Sequence, residues 1–197
     1  MLSLEDGKVL LKLAKKSVTS FFTGEPIDVD EGIKKKFSHD QGVFVTLHKH
    51  GELRGCIGFP EPVMALWKAI TLAAKAAAFE DPRFVPVQQT ELDEIVFEIS
   101  VLTVPEEIKV KEPKDYLKEI KIGRDGLIIR GRFGSGLLLP QVAPEWGWTQ
   151  LEFLDNVCQK AGLPIHAWQD LGNKIFRFQA QIFAEEKPNG KIVEKKE

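Results

Sequence analysis

Hydrophobic positions along this chain recur at two spacings, and the switch between them marks its elements. Leu10, Leu11, Ala14, Val18, Phe21 and Phe22 fall three or four residues apart, which predicts an amphipathic helix. Ser3 with Asp6 three positions later reads as its capping box, and Gly24 as its stop. Lys12, Lys15 and Lys16 lie mainly off the apolar stripe, as a solvated face does. Asp28, Asp30 and Glu31 cap a short helix over 31–37 rather than open a calcium loop, whose further acidic ligands are missing. Val43–Leu47 and Leu53–Phe59 are strand-like runs joined by Lys49-His50-Gly51-Glu52, a hairpin. Beyond Pro60-Glu61-Pro62, the stretch from Val63 to Phe79 is apolar nearly all round, as a buried central helix should be.

From Ile95 to Thr103 the period is two. Ile95, Phe97, Ile99 and Val101 share one face, and Val96, Glu98, Ser100 and Leu102 the other, which predicts a central antiparallel strand. Val104 to Lys114 is charged and proline-containing and reads as a linker, and Asp115 to Ile120 as a short helix. Gly126–Arg130 and Gly136–Leu139 form a second hairpin around Gly131-Arg132-Phe133-Gly134-Ser135. That loop lacks the lysine and the strand-to-helix context of a nucleotide loop, so it reads as an ordinary turn. Pro140–Trp148 is expected to be a loop. Thr149 with Glu152 then caps a helix carrying Leu151, Leu154, Val157, Cys158 and Ala161, with Gly162 as its stop, which places Cys158 in a core. Ile175 to Ala184 is one last long strand, and 185–197 a charged tail. Strands joined by short turns rather than helical crossovers argue for α+β with antiparallel sheets.

Composition narrows the function classes. At 197 residues the chain is one large domain or two small ones, and 27 basic against 29 acidic residues lack the basic excess of a nucleic-acid binder. The longest apolar run is interrupted by Lys68 and Lys75, and no basic-then-apolar segment opens the chain. A soluble, unexported protein without a membrane partner is expected. Cys56 and Cys158 stand far apart with no CxxC or Cys/His ligand spacing, so neither a disulfide framework nor a metal site is indicated and a reducing cytoplasm fits.

Chemistry concentrates in Leu53-Arg54-Gly55-Cys56-Ile57-Gly58. On an ideal strand Arg54 and Cys56 share a face, and the two glycines suggest that something approaches the backbone closely or that the strand bends. A thiol needs help to ionise near neutral pH, and a guanidinium on its own face supplies some. The N–H groups of Gly55 and Gly58 are candidate donors to an oxyanion. A base depends on register. A two-residue turn at His50-Gly51 pairs His48 with Leu53 and Val45 with Cys56, whereas a three-residue loop sets Thr46 opposite Cys56 and His48 opposite Arg54. Only the second puts a histidine on the thiol's face, and the first is the commoner turn. In Asp81-Pro82-Arg83-Phe84, Arg83 pairs with Asp81 or reaches a ligand, and Glu98 faces solvent or balances Arg54. Pro60 and Pro62 remove N–H donors from the start of the following helix, which argues against a phosphate cradle there. Gln141, Glu145, Trp146 and Trp148 give the 140–148 loop its functional interest, and the two tryptophans fit core plugs equally well.

LRGCIG is the signature of the protein family named after candidate gene 1 of the AMME chromosomal region. The chain resembles that family also at Ala77-Ala78-Phe79-Glu80-Asp81-Pro82-Arg83-Phe84, Ile99-Ser100-Val101-Leu102, Gly136-Leu137-Leu138-Leu139-Pro140-Gln141-Val142-Ala143 and Lys160-Ala161-Gly162-Leu163. The resemblance implies one domain of this type over 4–190. Its larger subdomain would be 1–110 plus 172–197 and its smaller, inserted one 111–171, each an antiparallel sheet flanked by helices, with the motif cysteine near the cleft between them. It carries no reaction, substrate or cofactor. Two functions follow. One is a cysteine-dependent enzyme acting on a small molecule or protein group, with Cys56 as nucleophile and Arg54 assisting. The other is a noncatalytic binding or adaptor module working with Memo-like and radical S-adenosylmethionine proteins. Gly55, Gly58, Arg83, Gln141, Glu145 and Trp148 are the candidate binding residues.

Overall fold

The computed structural model describes residues 1–195. In chain order its elements are α1 (Leu4–Thr23), α2 (Glu31–Lys36), β1 (Val43–Lys49), β2 (Glu52–Phe59), α3 (Leu66–Phe79), β3 (Ile95–Leu102), β4 (Glu106–Glu107), α4 (Tyr116–Glu119), β5 (Gly126–Gly131), β6 (Gly134–Leu138), α5 (Val142–Trp146), α6 (Gln150–Lys160), β7 (Lys174–Phe178), β8 (Ala180–Glu185) and β9 (Ile192–Lys195). They make two sheets, of five strands in the order β2-β1-β3-β8-β9 and of four in the order β4-β7-β5-β6. The fold is α+β with antiparallel sheets.

The chain divides into two compact units. The first comprises Met1–Leu102 and residues 181–195. Here α1 begins at the Ser3 capping box and ends at Gly24 in the left-handed region, φ 70°. Its Leu10, Leu11, Ala14 and Val18 meet Ala69, Ile70, Ala73 and Ala77 of α3 over one face of the five-stranded sheet. That face carries Val43, Val45 and Leu47 of β1 opposite Val101, Ile99 and Phe97 of β3. The opposite face of the same strands carries Phe44, Thr46 and His48, aligned with Ser100, Glu98 and Val96. α3 starts at Leu66 rather than Val63, because Ala65 is tied to Asp40 in an isolated bridge.

The second unit runs from Thr103 to Ala180. α6 keeps its Thr149–Glu152 capping box and buries Phe153, Leu154, Val157 and Cys158 against Leu127, Ile129 and Ile175. The second hairpin is tighter than its glycines suggest. Gly131 pairs with Gly134, and Arg132-Phe133 alone form the turn.

Four expectations change. Glu106–Glu107, inside the expected linker, pairs with Arg177 and Phe176 of β7. The loop at 140–148 contains the short helix α5. The long strand expected over Ile175–Ala184 is two strands in two sheets, broken at Gln179, whose N–H donates to the Thr103 hydroxyl and whose carbonyl accepts from the Thr103 N–H, both at 2.9 Å. The expected tail continues β8 to Glu185 and returns as β9, with Ile192 opposite Glu185; residues 196 and 197 lie outside the described residues.

α3 presses on β2 at one point above all. A Cβ on Gly55 would stand 2.1 Å from the carbonyl oxygen of Ala77. Gly55→Ala should therefore lower the urea midpoint by the equivalent of about 2 kcal/mol or more, with an unchanged slope. Gly24→Ala has open space around it and only a strained φ, and should cost about 1 kcal/mol. Equal midpoints for the two variants would remove the close approach as a constraint.

Candidate functional site

The motif hairpin turns through His50 at φ 53° and Gly51 at φ 85°, the pair of positive angles that a two-residue turn of type I′ needs. Next to the turn, Lys49 faces Glu52 and His48 faces Leu53. The register then shifts between Leu47 and His48. Leu47 faces Gly55 and Thr46 faces Cys56, which leaves Arg54 as the extra residue of a β-bulge. The two registers open to the sequence are thus both present, one on each side of Arg54. The turn is the common short one, yet Cys56 stands opposite Thr46.

The bulge also redirects Arg54. Its Nε donates to Glu91 Oε1 at 3.2 Å and its Nη2 to Glu91 Oε2 at 3.0 Å. Glu91 further accepts from Lys49 Nζ at 3.2 Å and from the Gln88 N–H at 2.9 Å. The Arg54 guanidinium beside it, helped by these other donors, holds the Glu91 carboxyl down at about 2. Arg54 therefore ties the hairpin to the turn at Gln89–Glu94 and does not attend the thiol. Glu98, the other partner considered for Arg54, receives Lys195 Nζ of β9 at 2.5 Å.

Cys56 is held from its backbone. β2 is the edge strand, and the N–H of Cys56, pointing off that edge, donates to Asp81 Oδ2 at 2.9 Å. Arg83 completes the bracket. Its Nε and Nη2 donate to the two oxygens of Asp81 at 2.9 and 2.7 Å, its own N–H donates to Oδ1 at 3.1 Å, and Nη2 also donates to the Cys56 carbonyl at 3.2 Å. These hydrogen bonds, those from the Arg83 side chain foremost, keep the Asp81 carboxyl far below the usual carboxylate range. With its peptide turned outward, Cys56 makes a non-hydrogen-bonded pair with Thr46, whose side chains approach closely. Thr46 Oγ1 lies 3.3 Å from the sulfur.

The sulfur is only partly exposed, and burial pushes its pKa above the ordinary thiol value. The charges of Asp81 and Glu98 push the same way, while the Thr46 hydroxyl and the Arg83 cation oppose them. No histidine among the described residues hydrogen-bonds Cys56. The His39 carbonyl accepts from Leu66, His50 meets Glu94 at 3.3 Å, and His166 meets Asp155 at 2.9 Å. His48 lines a groove of about 810 Å³ with Val96, Val193 and Lys195. Among the described residues no cluster of three metal-ligating side chains forms, and no helix is long and apolar enough to cross a membrane.

The motif glycines answer packing needs. Gly55 meets Ala77, and a Cβ on Gly58 would fall 2.3 Å from the Val43 carbonyl oxygen. Cys56, Gly55, Gly58 and Arg83 come together in the first unit, while Gln141, Glu145 and Trp148 come together in the second. There Gln141 stands at the N-cap position of α5 without a side-chain capping bond, and the N–H of Glu145 donates to the Gln141 carbonyl at 3.1 Å. Trp148 packs on the second core and stacks with Trp146, which is 71% exposed. Gln141 Oε1 is buried without a hydrogen-bond partner among the described residues. Thr46, Asp81 and Glu91 were not singled out from the sequence as site residues. Asp81 carries a signal as an aspartate before proline that starts a turn, Thr46 only through the register that sets it opposite Cys56, and Glu91 none.

The match to known proteins covers nearly the whole chain. The AMMECR1 family model fits residues 11–183. Protein MJ0810 of Methanocaldococcus jannaschii is 50% identical across 100% of this chain and 98% of its own length. A protein of Methanothermobacter thermautotrophicus is 48% identical over 94% of this chain and 97% of its own. Among solved structures, the uncharacterized protein PH0010 from Pyrococcus horikoshii superposes with a TM-score of 0.88 at 45% identity, covering 97% of each chain.

The Arg54–Glu91 pair makes a pH prediction. The Glu91 pKa is depressed on folding, so its contribution is present above about 4.5, the unfolded value, and is lost as pH falls toward about 2. Glu91→Gln should destabilise by about 2 kcal/mol at pH 7, and the gap to wild type should close between those two values. A gap that stays constant down to pH 2 would show that the ionised carboxylate is not its source.

Proposed function

The chain belongs to the AMMECR1 family, and we propose that it is a noncatalytic binding module. It presents the surroundings of Cys56 to a small molecule or peptide and works in the cytoplasm beside Memo-like and radical S-adenosylmethionine proteins. The observation that carries this reading is the state of the thiol. Its nearest hydrogen-bonding side chain is the Thr46 hydroxyl, its pKa is raised by burial, and the motif arginine is committed to Glu91. A cysteine nucleophile asks for the opposite, a lowered pKa and a base within hydrogen-bond reach. What the motif residues do achieve is rigidity. The Cys56 peptide is fixed at both its N–H and its carbonyl, as a recognition surface requires.

Alkylation separates the two readings. With a raised pKa, Cys56 is almost wholly protonated at pH 7, below the few per cent of thiolate that a free cysteine holds. Iodoacetamide should therefore modify Cys56 more slowly than a cysteine peptide at pH 7, and the rate should climb as pH passes the ordinary thiol value. Labelling faster than the peptide at pH 7 would restore the enzyme. Co-purification with a Memo-like partner that survives Cys56→Ser would support the module, and its loss in that variant would assign the sulfur itself a role.

A further inference from the structure

We infer that Arg83 is an anion-recognition residue that holds a carboxylate-bearing ligand beside the Cys56 thiol, with Asp81 positioning it. The inference rests on the binding reading and names its ligand class. It starts from an asymmetry in the ion pair. The side chain of Asp81 is 2% exposed and that of Arg83 is 53% exposed, so the acid is turned inward and the cation outward.

The donors can then be counted. A guanidinium carries five N–H donors. Nε and one Nη2 hydrogen go to Asp81, and the other Nη2 hydrogen goes to the Cys56 carbonyl. Both hydrogens of Nη1 remain, and among the described residues nothing accepts from them. The remaining edge is held in place, because the bidentate contact with Asp81 and the bond to Cys56 fix the plane of the group, and the Phe84 ring lies 5.4 Å from its carbon. An exposed arginine usually spends side-chain entropy to bind a ligand. Here Asp81 has already restricted it. The same bond to the Cys56 carbonyl holds the guanidinium against the backbone of the residue that carries the thiol, and its charge acts on the sulfur. Asp81 lies behind the guanidinium and Glu98 shares the sheet face with Thr46. These two negative charges favour a singly charged carboxylate over a doubly charged phosphate.

Iodoacetate and iodoacetamide, applied to the full chain, test this directly. Both react by attack of the thiolate sulfur on the CH₂ carbon, forming the C–S bond and expelling iodide, so the ratio of their rates cancels the thiolate fraction. Only iodoacetate carries the carboxylate. With peptide mapping to read Cys56 alone, the iodoacetate-to-iodoacetamide ratio should exceed that of a cysteine peptide by about fivefold or more, the scale of a charge-assisted hydrogen bond. Arg83→Gln should return the ratio to the peptide value, and Asp81→Asn should lower it toward that value. In wild type, added acetate should slow iodoacetate more than iodoacetamide, which keeps the test alive should either variant fail to fold. A ratio that Arg83→Gln leaves unchanged, an acetate effect equal for both reagents, or a Cys56 inert to both at pH 9 would each overturn the inference. Rapid reaction with both reagents at pH 7, with the ratio still dependent on Arg83, would instead remove the noncatalytic reading and leave the anion site standing.

Discussion

The carboxylate of Asp81 closes the outer edge of β2, and the rest of the motif depends on that closure. An edge strand presents unpaired N–H and carbonyl groups that invite further pairing. At Cys56 both are taken, the N–H by Asp81 and the carbonyl by Arg83. The same carboxylate accepts from the N–H of Arg83, so it fixes its own turn as well as its neighbour strand. With its peptide pinned outward, Cys56 has one orientation open to its side chain, toward Thr46. The local chemistry of the sulfur is thus a consequence of backbone hydrogen bonding two elements away in sequence.

The bulge at Arg54 is the second constraint, and it solves a conflict between turn and sheet. Gly51 and His50 favour a two-residue turn, which by itself would place Cys56 on the helix-covered face, opposite Val45. α3 needs a residue with no side chain there, because Ala77 comes so close. One extra residue in β2 lets the short turn stand, sets Gly55 under α3 and moves Cys56 to the other face. The displaced Arg54 finds Glu91, which Lys49 also reaches, and so the bulge is anchored by an ion cluster rather than left loose.

The long helices were legible because their signals are local, whereas the five-residue α5 lacks such signals and was read as loop. The capping boxes at Ser3 and Thr149, the stop at Gly24 and the burial of Cys158 all follow from residues within a turn or two of one another. The alternation of β3 was legible for the same reason. What escaped depends on partners. The period-two pattern runs unbroken from Ile175 to Ala184, and only the pairing of Gln179 with Thr103 divides it between sheets. β9 has charged residues at two of its four positions, and only its partner β8 makes a strand of it. Arg54 and Cys56 were assigned a common face by ideal alternation, and a bulge is the one irregularity that alternation cannot carry.

The two arginines around the motif show how context reverses a ranking made from sequence spacing. Arg54 sits two residues from Cys56 and invites the role of electrostatic assistant. It is mostly buried, and its acid Glu91 is mostly buried with it, their side chains being 12% and 17% exposed. A pair sealed in this way has no reason to open, since separating it would leave an uncompensated charge in a poorly solvated place. Arg83 lies far along the chain, and its pairing with Asp81 reads at first as a neutralised turn. Yet the burial of Asp81 is what makes Arg83 informative. A buried carboxylate that spends its lone pairs on Cys56 and Arg83 locks the guanidinium in orientation while leaving its outer edge to the solvent. Proximity in sequence placed the chemical weight on the first arginine, and hydrogen-bond accounting moves it to the second.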